Sequence, residues 1–495
     1  MALFYGSSDK ARSVEIARKV KVGKLRKLAP KLFTDDLRTA HEEVVRRHRL
    51  EIAAHFYPDA VISHRSALEG TLSPAGKLHL SLPGTVAPVR KLPGLEIRIW
   101  KGPQALEGDI PTSASGDGEL YTAGQARAVL ENFQISRARG EDEPKTLSPD
   151  ELEAWFDRKL RVSGDGWLED LKNKVSALAS ALGWDREFEA FRSFVAAMEG
   201  RPSAYRIKTD LAQSRADGHP YDPERIRLFA ELQARLATES FKALPVPPVS
   251  ERENRAFWES YFSNFIEGTR FTVEEARELV SDSAAARSLT RKRPQDAHDI
   301  METYRLIVDP NISGEVPGDG AGLLELLKRR HARMMASRAD VQPGVFKVKN
   351  NEVGSRIFVA PELVSETLIR GWKAAENLPG GLLRAIFLLF VVAEVHPFSD
   401  GNGRISRLGM NAELESAGLA RLIIPTSLRN DYLSVLEALT SNGNPIPYIA
   451  FVHKLIDFNS RMPLGSFEEA HAHFRKTGAL DEPGSSQFNI RPLLG

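Results

Sequence analysis

Cysteine is absent from all 495 residues, which excludes disulfides and thiolate-held metals and suits a reducing compartment. Net charge is nearly absent too. The 67 Lys and Arg stand against 66 Asp and Glu, and a balance of +1 gives no overall attraction to a polyanion. Long apolar runs are also missing. The most apolar stretch, Leu382 to Val395, carries Arg384 and Glu394 and falls short of the ~20 residues of a bilayer span, so it reads as a buried helix. The opening residues, MALFYGSSDK, lack the apolar core of a signal peptide. A cytoplasmic protein without a membrane segment is expected. Hydrophobic content of 42% and charged content of 27% describe an ordinary globular chain, long enough for about three domains.

Charge is nonetheless uneven along the chain. Residues 9–31 hold Lys10, Arg12, Arg18, Lys19, Lys21, Lys24, Arg26, Lys27 and Lys31 against Asp9 and Glu15. A helix and a short strand there have the footprint of a small nucleic-acid-binding module, although a solvated basic face is the blander reading. An amphipathic helix is expected over 35–56, then strands near 77–82, 95–100 and 119–122 between Gly/Pro/Ser turns. Residues 137–149 read as a charged loop. Ser148-Pro149-Asp150-Glu151 is a capping box that opens a helix. Trp167 and Trp184 read as core residues. Leu244-Pro245-Val246-Pro247-Pro248-Val249 reads as a stiff linker at a domain boundary.

The richest stretch is His396-Pro397-Phe398-Ser399-Asp400-Gly401-Asn402-Gly403-Arg404-Ile405-Ser406-Arg407. Glycines let backbone N–H groups approach a phosphate, and a helix read over Ile405–Leu419 places them at its anion-favouring N-terminus. Asp400 supplies a hard oxygen suited to Mg2+, which binds through few carboxylates plus the phosphates themselves. Arg404 and Arg407, three apart, can both reach phosphate oxygens. His396 titrates near working pH and can take a proton from an attacking hydroxyl. The residues alone call for metal-assisted transfer involving a phosphate ester.

This stretch fills every fixed position of the Fic (Fido) family motif, His-x-Phe-x-(Asp/Glu)-Gly-Asn-Gly-Arg-x-x-Arg, and the chain resembles that family over about residues 250–455. The resemblance implies a protein adenylyltransferase that moves AMP from ATP to a Tyr, Thr or Ser hydroxyl. His396 is then the general base and Asp400 the Mg2+ ligand. Gly401, Asn402 and Gly403 form the anion nest, with Arg404 and Arg407 clamping the β and γ oxygens. Tyr432, in Arg429-Asn430-Asp431-Tyr432, resembles the family's adenine-pocket aromatic. Runs 343–348 and 354–361 alternate as strands about Asn350-Asn351 and match the family's β-hairpin flap, with Lys347 where an arginine is usual. His331, among Leu327, Met334 and Met335, reads as a structural histidine.

Upstream, Ser263 and Glu267 share a helix face before Gly268. They resemble the family's inhibitory motif, (Ser/Thr)-x-x-x-Glu-(Gly/Asn), on a helix over 256–268. The resemblance implies that Glu267 pairs with Arg407 in a bidentate contact and keeps the γ-phosphate from its productive pose. Two alternatives stay open: a hydrolase that removes AMP with Glu267 orienting water, and a DNA-binding regulator in which the Fic fold is a sensor.

The expected fold is α+β and multidomain, a mainly helical Fic core with a flap behind a mixed α/β N-terminal region. The expected divisions are 1–56, basic and winged-helix-like; 57–244, mixed α/β; 245–463, the Fic domain; and 464–495, a tail. Residues 10–170, with Val61-Ile62-Ser63-His64-Arg65-Ser66-Ala67-Leu68, resemble the N-terminal part of AbiEi-type antitoxin and transcriptional-regulator proteins. The implied partners are ATP, Mg2+ and a hydroxyl-bearing protein target. Self-modification, DNA at residues 9–31 and a homo-oligomer remain open.

Overall fold

The computed structural model describes residues 2–6, 9–84, 88–115, 118–136, 142–281, 284–353 and 356–483. The chain divides into two units, 1–216 and 217–495.

The first unit is mixed α/β. A three-stranded antiparallel sheet, with Leu32–Thr34 between Leu3–Tyr5 and Arg26–Ala29, carries the basic helix Lys10–Lys21. That helix buries only Ile16, so most of its cationic side chains face water. The helix expected over 35–56 starts later and is two helices, His41–Arg47 and Arg49–Phe56, broken at His48. A six-stranded mixed sheet follows, ordered Arg90–Leu92, Leu95–Lys101, Lys77–Leu82, Val61–Ile62, Gly118–Thr122, Ile110–Ser115. Three of its strands were legible in the sequence. The two edge strands were not, because one is three residues long and the other contains Pro111, which only an edge tolerates. His64, Arg65 and Ser66 are buried, and Arg65 is paired with Glu69 at 2.8 Å and Glu151 at 2.9 Å, which makes them packing rather than catalytic residues. Of the loop at 137–149, residues 137–141 lie outside the described residues. The capping box forms at Ser148 and Glu151.

Among its described residues the second unit is helical apart from one hairpin, Glu352–Val353 with Arg356–Ile357. Its centre is the helix Leu382–Val395, buried all round rather than along one stripe, as expected when apolar residues outnumber any amphipathic pattern. Helices Pro223–Leu236, Val364–Ala375 and Asn402–Ser416 pack on it. Leu228, Phe229, Leu232 and Leu236 sit in the same core as Phe387, Phe390 and Val391. The unit therefore begins before the proline-rich stretch at 244–249, which is not a free linker. Leu244 is buried, its carbonyl accepts the Ala420 N–H at 3.0 Å, and Pro245 bridges Leu419.

Helix Arg252–Ile266 is buried along most of its length. Arg421 grips it with a two-point fork onto Glu259, at 2.7 and 2.8 Å. Residues read as a tail form the helix Phe467–Thr477, whose Phe467 and Phe474 pack on Trp258. Residues 484–495 lie outside the described set. The run Pro343–Val348, expected as a flap strand, is irregular. The Lys347 N–H goes to the Pro397 carbonyl at 2.9 Å and the Asn351 side-chain amide to the Phe398 carbonyl at 3.0 Å, so these donors serve the motif loop rather than a partner strand. Gly354 and Ser355, between the two short strands, lie outside the described residues. Among the described residues no helix is long and apolar enough to cross a membrane.

The placement of Pro223–Leu236 yields a test. A fragment of residues 217–495 is expected to unfold cooperatively in urea, while one of residues 245–495 loses the core side chains of this helix together with Leu244 and precipitates or melts well below it. Equal midpoints would show that the helix is dispensable.

Candidate active site

The buried helix delivers His396 at its end, and the chain turns there. His396 takes the left-handed conformation, φ +54, and Pro397 cannot continue the helix. Its ring stacks on Phe358, with centroids 3.9 Å apart, and Nδ1 lies 3.3 Å from the Ala393 carbonyl. A carbonyl only accepts, so Nδ1 carries the proton and Nε2 keeps its lone pair. Burial, with the Lys347 charge as a second cause, pushes the imidazole down to about 4. At neutral pH it is an uncharged base.

The loop after it is closed by one side chain. Asn402 Oδ1 accepts the Phe398 N–H and Asn402 Nδ2 donates to the Phe398 carbonyl, both at 2.8 Å. The helix therefore opens at Asn402, three residues earlier than its sequence suggests, and runs to Ser416. Gly401 caps it at φ +76, and a Cβ there would lie 3.1 Å from Met334 and Met335. Asp400 is exposed, with Oδ1 accepting the Gly401 N–H at 2.6 Å. The N–H groups of the helix's first turn have no partner within the helix, which makes an anion seat.

An anion from the chain itself lies against this turn. A Cβ on Gly403 would stand 2.2 Å from Glu267 Oε1, so only glycine admits the carboxylate there. Arg407 Nη2 donates to the same oxygen at 2.7 Å and to the Ser263 carbonyl at 2.9 Å, while Nε donates to Ser263 Oγ at 3.0 Å. The contact is thus not the expected two-point carboxylate fork. Glu267 is the C-cap of its helix and arrives end-on, leaving the guanidinium's other edge to Ser263 one turn back. Arg407 Nη1 is buried and has no hydrogen-bond partner among the described residues. Arg404 points elsewhere. It donates to Asp299 at 2.6 Å and to Asn264 at 3.2 Å, both buried, and does not line the cavity.

The cavity has a volume of about 120 Å3, and its walls include His396, Gly403, Arg407, Glu267, Tyr432 and Arg356. Tyr432 is buried, and its hydroxyl is held above its usual value by burial. An unpaired guanidinium nitrogen, the first turn of the motif helix and a neutral imidazole on one cavity fit a phosphate ester in place of the Glu267 carboxylate. Asp400 is a lone carboxylate, and among the described residues no group of three or more His, Asp or Glu is placed to hold a metal. The donors fit a cation that takes its remaining oxygens from phosphates and water, which is the habit of Mg2+.

The Fic/DOC family model matches residues 323–414, the span that includes His396 to Arg407. Over that span the chain is similar to the Fic/DOC family. A protein adenylyltransferase Fic of Nematostella vectensis is 25% identical over 239 residues, covering 46% of this chain and 55% of that protein. Another from Culex quinquefasciatus is 29% identical over 196 residues, covering 39% of this chain and 38% of that protein. The chain thus spans about half the length, or less, of these curated relatives. A Fic domain containing signaling protein from Bacteroides thetaiotaomicron aligns at 16% identity with a TM-score of 0.37, covering 50% of this chain and 97% of that one.

The cavity also includes Glu394 and Arg356, whose part in it was not legible in the sequence. Glu394, two before His396, is fully buried and ionically bound to Arg225 at 3.0 Å and to Arg356, with Thr440 Oγ1 donating to it at 2.6 Å. A charge in an otherwise apolar run was the available signal, because a buried carboxylate needs partners. Arg356 in turn covers Phe358, at 4.7 Å, behind His396. The low imidazole value has a direct check. The His396 ring signals in an NMR titration should hold their neutral positions from pH 7.5 to about 5 and move only below that. A midpoint near 6.5 would show that the ring is open to water.

Proposed function

We propose that this Fic domain is a protein adenylyltransferase, transferring AMP from ATP to a side-chain hydroxyl of a protein, and that Glu267 holds it in check. The observation that carries this reading is the Glu267 carboxylate on the first turn of the motif helix beside Arg407, a built-in anion where a substrate phosphate would sit. Relatives that bear the adenylyltransferase name support it.

In the reaction, His396 Nε2 takes the proton from the target hydroxyl. The freed oxygen attacks the α-phosphorus, the bond from that phosphorus to the bridging oxygen breaks, and pyrophosphate leaves. Arg407 and the backbone N–H groups of the helix's first turn bind the departing phosphates. Asp400 would hold Mg2+, which when bound supplies charge neutralisation across the phosphates. Arg404 serves differently: tied to Asp299 and Asn264, it fixes the motif helix against helices Pro294–Val308 and Arg252–Ile266.

The check is local. Glu267 is 26% exposed at a helix end, while the helix behind it is clamped by Glu259 and Arg421. Release is therefore a swing of the carboxylate rather than departure of the helix. The cavity of about 120 Å3 is below the ~300 Å3 floor of small-molecule sites, so the swing must also open room for the nucleotide. A bias of ~2.7 kcal/mol toward the blocked state suffices for hundredfold inhibition. A second reading has one supporting observation, since Glu267 shares the cavity with His396. The carboxylate could there orient a water that removes AMP from a modified protein.

Transfer of label from α-labelled ATP to protein, with Mg2+, tests both. Glu267→Gly should raise transfer by about a hundredfold, and His396→Ala added to it should abolish the gain. Removal of AMP from a pre-labelled target should be lost with Glu267→Gly if the second reading holds. No transfer by any variant with ATP would overturn the adenylyltransferase reading.

A further inference from the structure

Four consecutive carbonyls of the motif loop are captured from outside it. Pro397 O accepts the Lys347 N–H at 2.9 Å, and Phe398 O and Ser399 O accept the Asn351 amide at 3.0 and 3.2 Å. The fourth, Asp400 O, lies 3.1 Å from Nε2 of His331. His331 sits on the helix Gly320–Met334, fully buried, with its ring parallel to Phe398 at 1° and 3.8 Å. Its other nitrogen, Nδ1, receives the Gly344 N–H at 2.9 Å. An N–H can only donate, so Nδ1 holds the lone pair and the ring proton must be on Nε2, donated to Asp400. Gly344 stands at φ +80, and a Cβ there would meet Ala332 at 2.9 Å, so the approach of that N–H to the ring requires glycine.

We propose that His331 is a positioning residue for phosphate binding: it fixes the main chain from which the Asp400 carboxylate projects and locks the segment entering the hairpin to the same loop. Resting on the reading of Asp400 as the cation-binding carboxylate, this assigns His331 a role beyond filling the core. The ring touches neither substrate nor metal. It acts as a strut with one arm on the loop of Asp400 and the other on Gly344, and the Phe398 face aligns both. Orientation of a metal-binding carboxylate by neighbouring hydrogen bonds is a general need of such sites.

Two substitutions separate the arms. In His331→Asn the amide oxygen stands near Nδ1 and keeps the Gly344 contact, but no donor reaches Asp400. In His331→Gln the longer amide reaches the Asp400 carbonyl and gives up Gly344. Both lose the ring stack, so a common loss of stability cancels between them. The readout is the gain in ADP affinity on replacing EDTA with Mg2+, measured by calorimetry on the full chain, with the unfolding midpoint of each variant. ADP avoids competition between Glu267 and a γ-phosphate. His331→Asn is expected to lower the Mg2+-dependent gain by about tenfold or more, His331→Gln to keep it within about threefold, and affinity in EDTA to stay nearly constant in both. Equal losses in the two variants, tracking their midpoints, would overturn the proposal and leave His331 a core residue. A normal gain in the wild type with no loss in His331→Asn would also overturn it while leaving the reading of Asp400 intact. Absence of any Mg2+-dependent gain in the wild type would remove that reading and the proposal together.

Discussion

A helix N-terminus with unsatisfied N–H groups favours anions, and here the chain's own Glu267 lies against its first turn. The carboxylate rests on Gly403, where a side chain would exclude it, and Arg407 completes its seat. Any phosphate that uses this seat must displace it. On the proposed reading, the surrounding helices leave this one exchange open and hold the rest fixed. Glu267 lies at a helix end and partly in water, whereas the helix it caps is buried and forked onto Arg421.

The base is prepared by different means. His396 is kept neutral by being taken out of water, between Phe358 and the end of the buried helix, and its tautomer is set by a backbone carbonyl. Exposed Asp400 lies on a loop whose carbonyls are pinned by Lys347, Asn351 and His331. The carboxylate is free at its tip and fixed at its root. A cation binding to one carboxylate and to substrate phosphates needs that combination, since the protein supplies too few ligands to orient it otherwise.

The motif was legible because its residue types and spacing are local. What depended on distant partners was not. Arg404 and Arg407 look equivalent at three-residue spacing, yet Asp299, 105 residues away in sequence, draws Arg404 out of the cavity. The pairing of Glu267 with Arg407 was expected from resemblance, but the share taken by Ser263 follows from the end-on approach of a capping residue. Alternation over 343–348 mimicked a strand, although its donors were committed to the motif loop. The helix Pro223–Leu236 was legible as a helix; only its burial against Phe387 and Phe390 shows which unit owns it. In the first unit, one edge strand is too short to show a pattern and Pro111 disguises the other.

Competition between Glu267 and the nucleotide's outermost phosphate is the central claim, and calorimetry addresses it without requiring a target protein. Affinities of ATP and of AMP would be measured with Mg2+ for the wild type and for Glu267→Gln. If the carboxylate occupies the seat of the γ-phosphate, ATP should tighten by about tenfold or more in the variant while AMP, which lacks that phosphate, stays nearly unchanged. A parallel shift of both ligands, or no shift of either, would show that the Glu267 carboxylate does not compete for the γ-phosphate.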